Sequence, residues 1–156
     1  VIIGAGHVGK AIVHLAKWLG FRVVVSDDRV EFCNPESTPG ADAYYPLPME
    51  KLASQLKITR RTFLAITSRG SALDVLGLPS LLKSQAAYIG VIGSKRRWLT
   101  TVKALKAKGV SEELIARVHS PMGIELNAET PEEIAVSVMA EILMIRDKGT
   151  GKSMKN

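Results

Sequence analysis

Short apolar runs rich in Val and Ile alternate along the chain with segments in which apolar residues return every three or four positions. The first pattern suits strands buried on both faces and the second suits helices that bury one stripe. Their alternation predicts βαβ units on a mainly parallel sheet, an α/β doubly wound fold. Strands are predicted near 1–3, 22–26, 43–45, 63–67, 88–92 and 118–120. Between the first two, Val8, Ala11, Ile12, Leu15, Ala16 and Leu19 form one face of a helix whose other face carries Lys10, His14 and Lys17, and Gly20 ends it. The last helix has the plainest start. Thr130 offers a capping hydroxyl, Pro131 suits the first helical position and Glu133 stands three residues after the cap, so a helix should begin there and run to about Arg146. Residues 28–42 hold Pro35, Pro39 and Gly40 without any period, which predicts a loop long enough to be functional or mobile.

Composition narrows the class. The chain has 156 residues, 46% hydrophobic, 23% charged and 5% aromatic, which fits one ordinary globular domain and excludes disorder, collagen and coiled coil. No apolar run approaches the ~18 residues of a membrane span. The single cysteine, Cys33, has no internal partner for a disulfide and no cationic, apolar leader opens the sequence, so a reducing cytoplasm is the expected compartment. Val1 lies inside an apolar run with no initiator Met, and a further upstream segment is expected. Lys and Arg number 21 against 15 Asp and Glu, a net charge of +6. That excess suits anionic small molecules as well as nucleic acid, and the scarcity of aromatic residues argues against a base-stacking platform.

Candidate chemistry begins at Gly4-Ala5-Gly6-His7-Val8-Gly9, a G-x-G-x-x-G sequence that follows a predicted strand and opens a predicted helix. Gly4 permits a tight turn, Gly6 lets a diphosphate approach the backbone, Gly9 allows close helix–strand packing, and free amides at the helix start attract the anion. Asp27, at the end of the second strand, stands where a carboxylate accepts hydrogen bonds from a ribose diol, and Asp28 and Arg29 follow it. These features make the expected domain Rossmann-like. A second strand-to-helix junction, Gly93-Ser94-Lys95-Arg96-Arg97, brings a hydroxyl and three cations to the same sheet edge, where two arginines could grip a phosphate or a pterin-like ring. A solvated helix face is the alternative. His119, at the end of the sixth predicted strand, is a further candidate for ligand contact. His7 and His14 are about 10 Å apart at helical rise, too far to share a metal, so no metal site and no catalytic residue is assigned. Cys33 is read as an ordinary loop residue ahead of an exposed sulfur-transfer thiol. Gly149-Thr150-Gly151-Lys152-Ser153 echoes a phosphate loop, but position 146 is Arg where that loop needs glycine. The expected organisation is one domain over 1–147 with a flexible basic tail at 148–156.

The glycine sequence running into Leu19-Gly20-Phe21-Arg22-Val23 and Asp27-Asp28-Arg29 resembles the C-terminal Rossmann-like domain of the XdhC/CoxI-type xanthine dehydrogenase accessory factors. The resemblance continues in Tyr88-Ile89-Gly90-Val91-Ile92-Gly93-Ser94-Lys95-Arg96-Arg97 and is most specific in His119-Ser120-Pro121-Met122-Gly123. It extends through Ala128-Glu129-Thr130-Pro131-Glu132-Glu133 to Ala140-Glu141-Ile142. It implies a non-catalytic maturation factor that binds the molybdenum cofactor, a pyranopterin, as cargo. Such a factor works with a cysteine desulfurase during sulfuration and delivers the cofactor to a molybdenum hydroxylase such as xanthine dehydrogenase. Two positions depart from the family's pattern: Ser71 follows Arg69-Gly70 where relatives often place a histidine, and Asn127 stands where glycine is common. The residues alone leave open an NAD(P)-dependent oxidoreductase and a nucleotide-sensing regulatory domain. They also leave a homodimer open, and no nucleic acid or membrane partner is expected.

Overall fold

The computed structural model describes residues 1–155. In chain order the elements are β1 (Ile2–Ile3), α1 (His7–Trp18), β2 (Val24–Ser26), β3 (Ala43–Tyr45), α2 (Met49–Gln55), β4 (Phe63–Ile66), α3 (Ser71–Leu82), β5 (Tyr88–Val91), α4 (Lys95–Ala107), α5 (Glu112–Ile115), β6 (Val118–His119) and α6 (Pro131–Asp147). The strands make one six-stranded sheet in the order β3-β2-β1-β4-β5-β6, and every pairing is parallel. Parallel strands need crossovers, and the helices that supply them cover both faces. Helices α1 and α6 enclose a core with Ile12, Val13, Val25 and Val138 on one face. On the other face α2, α3 and α4 bury Leu52, Leu78, Leu81 and Leu105 against Leu64, Ile66 and Ile89. This is the doubly wound, Rossmann-like domain expected from the alternation of patterns, with all six strands where the apolar runs lie.

The sheet order reverses at β1, which sits between β2 and β4. Chain leaving β1 and chain leaving β4 therefore diverge to opposite faces, and a crevice opens outside their carboxyl ends. The sixth helix starts as the sequence dictates: Thr130 Oγ1 accepts from Glu133 N, the Glu133 carboxylate accepts from Thr130 N, and Pro131 fills the first position. Asn127 takes a left-handed φ of 49°, which asparagine tolerates where glycine is otherwise usual.

The long segment after β2 ties itself together instead of standing off the domain. Asn34 accepts from Glu36 N and Ser37 N and donates to the Val30 and Glu31 carbonyls. The Thr38 hydroxyl donates to Phe32 O, and Tyr44 OH closes the loop by donating to Thr38 O at 2.6 Å. After α6 the chain turns at Lys148, φ 56°, and residues 148–155 of the expected tail are exposed; Asn156 lies outside the described residues. No helix among the described residues is long and apolar enough to cross a membrane.

Candidate functional site

The glycine loop after β1 is built by exclusion of side chains. Gly4 has φ +110°, and a Cβ there would lie 2.5 Å from the Thr67 carbonyl oxygen at the end of β4. Thr67 Oγ1 instead donates to Gly4 O at 2.8 Å and fastens the loop across the crevice. A Cβ on Gly9 would meet Gly4 O at 1.9 Å, so only glycine lets the first turn of α1 press against the loop. Gly6 differs from both: nothing lies within 4 Å of where its Cβ would be. It caps α1 with no side-chain hydrogen bond, and the first backbone bond into the helix runs from Lys10 N to Gly6 O. The N–H groups of His7, Val8 and Gly9 thus have no acceptor among the described residues, with His7 exposed, Val8 half-buried and Gly9 buried. Uncompensated amides at a positive helix end form an anion-attracting surface.

Beside this loop a cavity of about 210 Å³ occupies the crevice at the carboxyl ends of β1, β2 and β4. Its walls combine apolar side chains from β1, α2 and α3 with Ser26 at the end of β2, Asp27, Asp28 and Arg29 after it, Glu50 on α2, and Thr67, Ser68 and Arg69 after β4. Asp27 reaches this edge, yet its carboxylate turns into the protein. Oδ2 accepts from Ala5 N at 2.7 Å and Arg29 Nη2 at 2.8 Å, and Oδ1 accepts from Arg29 N and Nε. Burial alone would push this carboxyl up, but the Arg29 side chain and the Ala5 and Arg29 amides outweigh it and hold the group down at about 2. Asp27 thereby fixes the glycine loop to β2, a different task from the free ribose acceptor expected from sequence. Arg29 also covers the Phe32 ring at 4.0 Å. Asp28, the neighbour, pairs with Arg69 at 2.7 Å in a half-exposed bridge between the ends of β2 and β4.

At the second junction Ser94 caps α4 by accepting from Arg97 N, and Lys95 and Arg96 are exposed. Arg97 is turned inward. Its Nη2 reaches Asp74 Oδ2 on α3 at 2.7 Å and Ser68 Oγ at 2.8 Å, while Ser68 Oγ also bonds Asp74 Oδ1. Asp74 has no exposed surface, so Arg97 is the counter-ion of a buried carboxylate and only Lys95 and Arg96 remain free of the three cations. His119 likewise stands away from the cavity. Its ring lies 4.9 Å from that of Tyr88, and its Nδ1 is 3.4 Å from Glu141 Oε1. Glu141 in turn accepts from Tyr88 OH at 2.6 Å and from Gly123 N at 2.8 Å. Burial raises the Glu141 carboxyl, and the His119, Tyr88 and Gly123 donors outweigh it, so it lies below its ordinary value. The Tyr88 hydroxyl is pushed up by burial and by that carboxylate. Cys33 is 3% exposed, donates to Val25 O, and is raised chiefly by burial, the opposite of an activated sulfur-transfer thiol. His14 is exposed on α1, and the described residues contain no cluster of His, Cys, Asp or Glu that could hold a metal.

Three residues of this edge escape a reading of motifs: Ser26 and Thr67, each the polar residue that closes an apolar run, and Asp74, a lone charge within an apolar helix; that break in the pattern is the signal available.

Comparison with known proteins adds relatives to this geometry. A family model described as the XdhC Rossmann domain matches residues 1–142. An uncharacterized Escherichia coli K12 protein, YqeB, is 37% identical over 155 residues, covering 99% of this chain and 28% of its own length. A Bacillus subtilis protein, named as a probable xanthine dehydrogenase subunit, is 30% identical over 148 residues, 95% of this chain and 43% of that protein. A solved structure described as a xanthine dehydrogenase from Bacillus halodurans superimposes with a TM-score of 0.79 at 30% identity, covering 94% of this chain and 43% of that one. The chain thus spans less than half the length of these relatives.

Proposed function

The chain belongs to the XdhC Rossmann domain family, and from that membership we propose that it is a maturation factor for a molybdenum hydroxylase of the xanthine dehydrogenase type. In this reading the domain carries the molybdenum cofactor as cargo, shields it while a cysteine desulfurase supplies sulfur, and passes it to the apo-hydroxylase in the cytoplasm. The observation that carries the reading is the glycine loop: three unpartnered amides at the start of α1, above a Gly6 with open space over it. The terminal phosphate of a pyranopterin suits those amides, and the exposed Lys95 and Arg96 add charge along the same edge. His7, exposed at the helix start, is available to the same anion.

The residues do this by positioning rather than by bond-making. Asp27 and Thr67 lock the loop from both sides, so the amides are held ready and little ordering accompanies binding. The same lock counts against a nicotinamide dinucleotide reading, because the carboxylate that would hold its ribose already accepts four hydrogen bonds.

The test is calorimetric titration of freshly released molybdenum cofactor into the chain and into Gly6→Val. The substitution enters open space at ordinary backbone angles, φ −75° and ψ −169°, so the fold should persist while binding is lost. Unchanged affinity in Gly6→Val would remove the loop from the site. Steady reduction of NAD or NADP with small alcohols, aldehydes or 2-hydroxy acids would favour the oxidoreductase instead.

A further inference from the structure

The amino-terminal edge of the sheet, opposite the glycine loop, carries a second concentration of charge. The segments that meet there, residues 19–23, 57–63 and 145–147, hold Arg22, Lys57, Arg60, Arg61 and Arg146 against one acid, Asp147. Asp147 already pairs with Arg146 at 2.6 Å. Asp42, which accepts from Val23 N at this edge, is held by Lys17 at 2.9 Å. Arg22, Arg60 and Arg61 are exposed and take part in no ion pair among the described residues. Cations gathered without counter-ions repel one another and weaken the compact state, so their presence calls for a reason outside the fold.

The cations are also held in place. Arg60 and Arg61 are the central residues of a turn in which Thr62 N donates to Thr59 O at 3.0 Å, Thr59 N to Thr62 Oγ1 at 3.0 Å and Arg61 N to Thr59 Oγ1 at 3.2 Å. Thr62 O accepts from Ala87 N, just before β5, which fastens the turn to the sheet. With Arg22 and Arg146 this turn borders an open bowl of about 610 Å³. Apolar side chains complete it: the half-buried rings of Phe21 and Phe63 meet edge to face at 6.2 Å, beside Ile145. Lys57 stands at an adjoining cavity of about 190 Å³ that shares Phe21, Arg22, Arg61 and Phe63 with the bowl. Trp18 ends α1 two residues before Gly20, which lines the bowl, and 79% of its surface is exposed. Trp and Arg are the residue types that most often dominate contacts between proteins.

The chemistry of the face separates its candidate occupants. A second copy docked face to face would set the same cations against each other. A nucleic acid strand needs a track of cations with ring faces open for stacking, whereas here the guanidiniums converge on one concavity and the two Phe rings pack on each other. An acidic peptide matches every feature: carboxylates for the guanidinium forks, an apolar side chain for the Phe21 and Phe63 surface, and contact area for the indole.

We propose that this edge is a docking face for an acidic segment of a partner protein, clamped by Arg22, Arg60 and Arg61 and anchored at its rim by Trp18. The four residues of β4, at about 3.3 Å each, set the face about 13 Å from the glycine-loop edge, so a partner docked here leaves that edge uncovered.

The experiment titrates this chain into a dye-labelled peptide of Glu and Asp around a central Leu, read by fluorescence anisotropy at physiological salt. The same peptide with Gln and Asn in place of the acids, and a dye-labelled single-stranded oligothymidylate, serve as comparisons. The acidic peptide should bind and its amide counterpart should not. Arg60→Glu with Arg61→Glu should weaken binding at least about tenfold, and Trp18→Ser about three- to tenfold. Lys51→Glu with Lys103→Glu makes the same change in net charge at exposed positions of α2 and α4 and should alter affinity less than about twofold, because distant charges are screened. Arg60→Gln with Arg61→Gln should weaken binding in the same direction, which keeps the test intact if the charge-reversed turn fails to fold. Equal losses in the two Glu double variants would reduce the attraction to net charge and overturn the proposal. Tighter binding of the oligothymidylate would make the edge a nucleic acid face and overturn it too. Equal binding of the amide peptide, or no binding of the acidic one, would likewise refute it.

Discussion

Replacing Arg97 by Ala tests whether this cation serves the fold or a ligand. In the structure its guanidinium bonds Asp74 Oδ2 at 2.7 Å and Ser68 Oγ at 2.8 Å, with 23% of the Arg97 side chain and none of the Asp74 side chain exposed. Truncation strands a carboxylate with only the Ser68 hydroxyl to solvate it. Removing one member of a buried pair costs about 3–5 kcal/mol, because the charge left behind has lost water and gained nothing. For a domain of this size that should lower the melting temperature by about 6–20 °C, from some 2–4 °C per kcal/mol. Arg96→Ala, one residue earlier and exposed, should stay within about 0.5 kcal/mol of the parent. The double change Asp74→Leu with Arg97→Met removes both charges and should recover most of the loss, since the penalty belongs to the orphan and not to the missing pair. Urea unfolding of the four proteins gives the free-energy differences, and thermal unfolding gives the shift in melting temperature. A loss below about 1 kcal/mol in Arg97→Ala would refute the reasoning, showing that the cation is free to serve a ligand.

Three further outcomes follow from the same geometry. Gly9→Ala, whose Cβ would meet Gly4 O at 1.9 Å, should destabilise the domain by about 1–3 kcal/mol in urea titration, whereas Gly6→Val should not; equal stabilities would refute the packing account. Acid should weaken the fold through Asp27. Its folded value of about 2 lies below the ordinary 3.8, so the stability it contributes is present above about pH 4 and is lost as pH falls toward 2. That contribution is on the order of 2 kcal/mol, and urea midpoints across that window should show less slope in Asp27→Asn. Gly90→Ala places a Cβ 2.3 Å from the Tyr88 hydroxyl, so the ring must leave Glu141; a lowered melting temperature and changed tyrosine fluorescence should report it.

The sheet was legible because the inner strands β1, β4 and β5 are continuous apolar runs, the pattern of strands covered on both faces, and because α1 and α6 carry signals that local chemistry enforces. Their caps, glycines and stripes mean the same thing in any surroundings. Helix α3 gives no such signal. It buries Asp74, Gly77, Leu78, Leu81 and Leu82 under α2 and α4 and contains Pro79, so it has neither a clear polar face nor an uninterrupted helical composition. The segment 28–42 was readable as irregular but not as closed on itself, because that closure depends on which carbonyls Asn34 and Thr38 find in three dimensions.

The candidate site divides along the same line. Within the glycine loop, Gly4 turns at φ +110° and Gly9 must clear Gly4 O, requirements of one turn, whereas no neighbour in the structure crowds Gly6; the structure adds that Thr67 braces the loop. The charged residues are not local, because a side chain's task depends on the partner that the fold brings to it. Asp27 and Arg97 are each met by an opposite charge, and each becomes a brace for the edge rather than a group free to bind. The attraction left for an anion then comes from the α1 amides, worth about half a positive charge, with Lys95 and Arg96 exposed at the neighbouring junction. Such an edge retains a ligand mainly by shape and backbone hydrogen bonds, because exposed cations are screened by salt. Weak electrostatic retention in a preorganised cradle is what the proposed carrier role asks for, because a carried group has to leave for another protein.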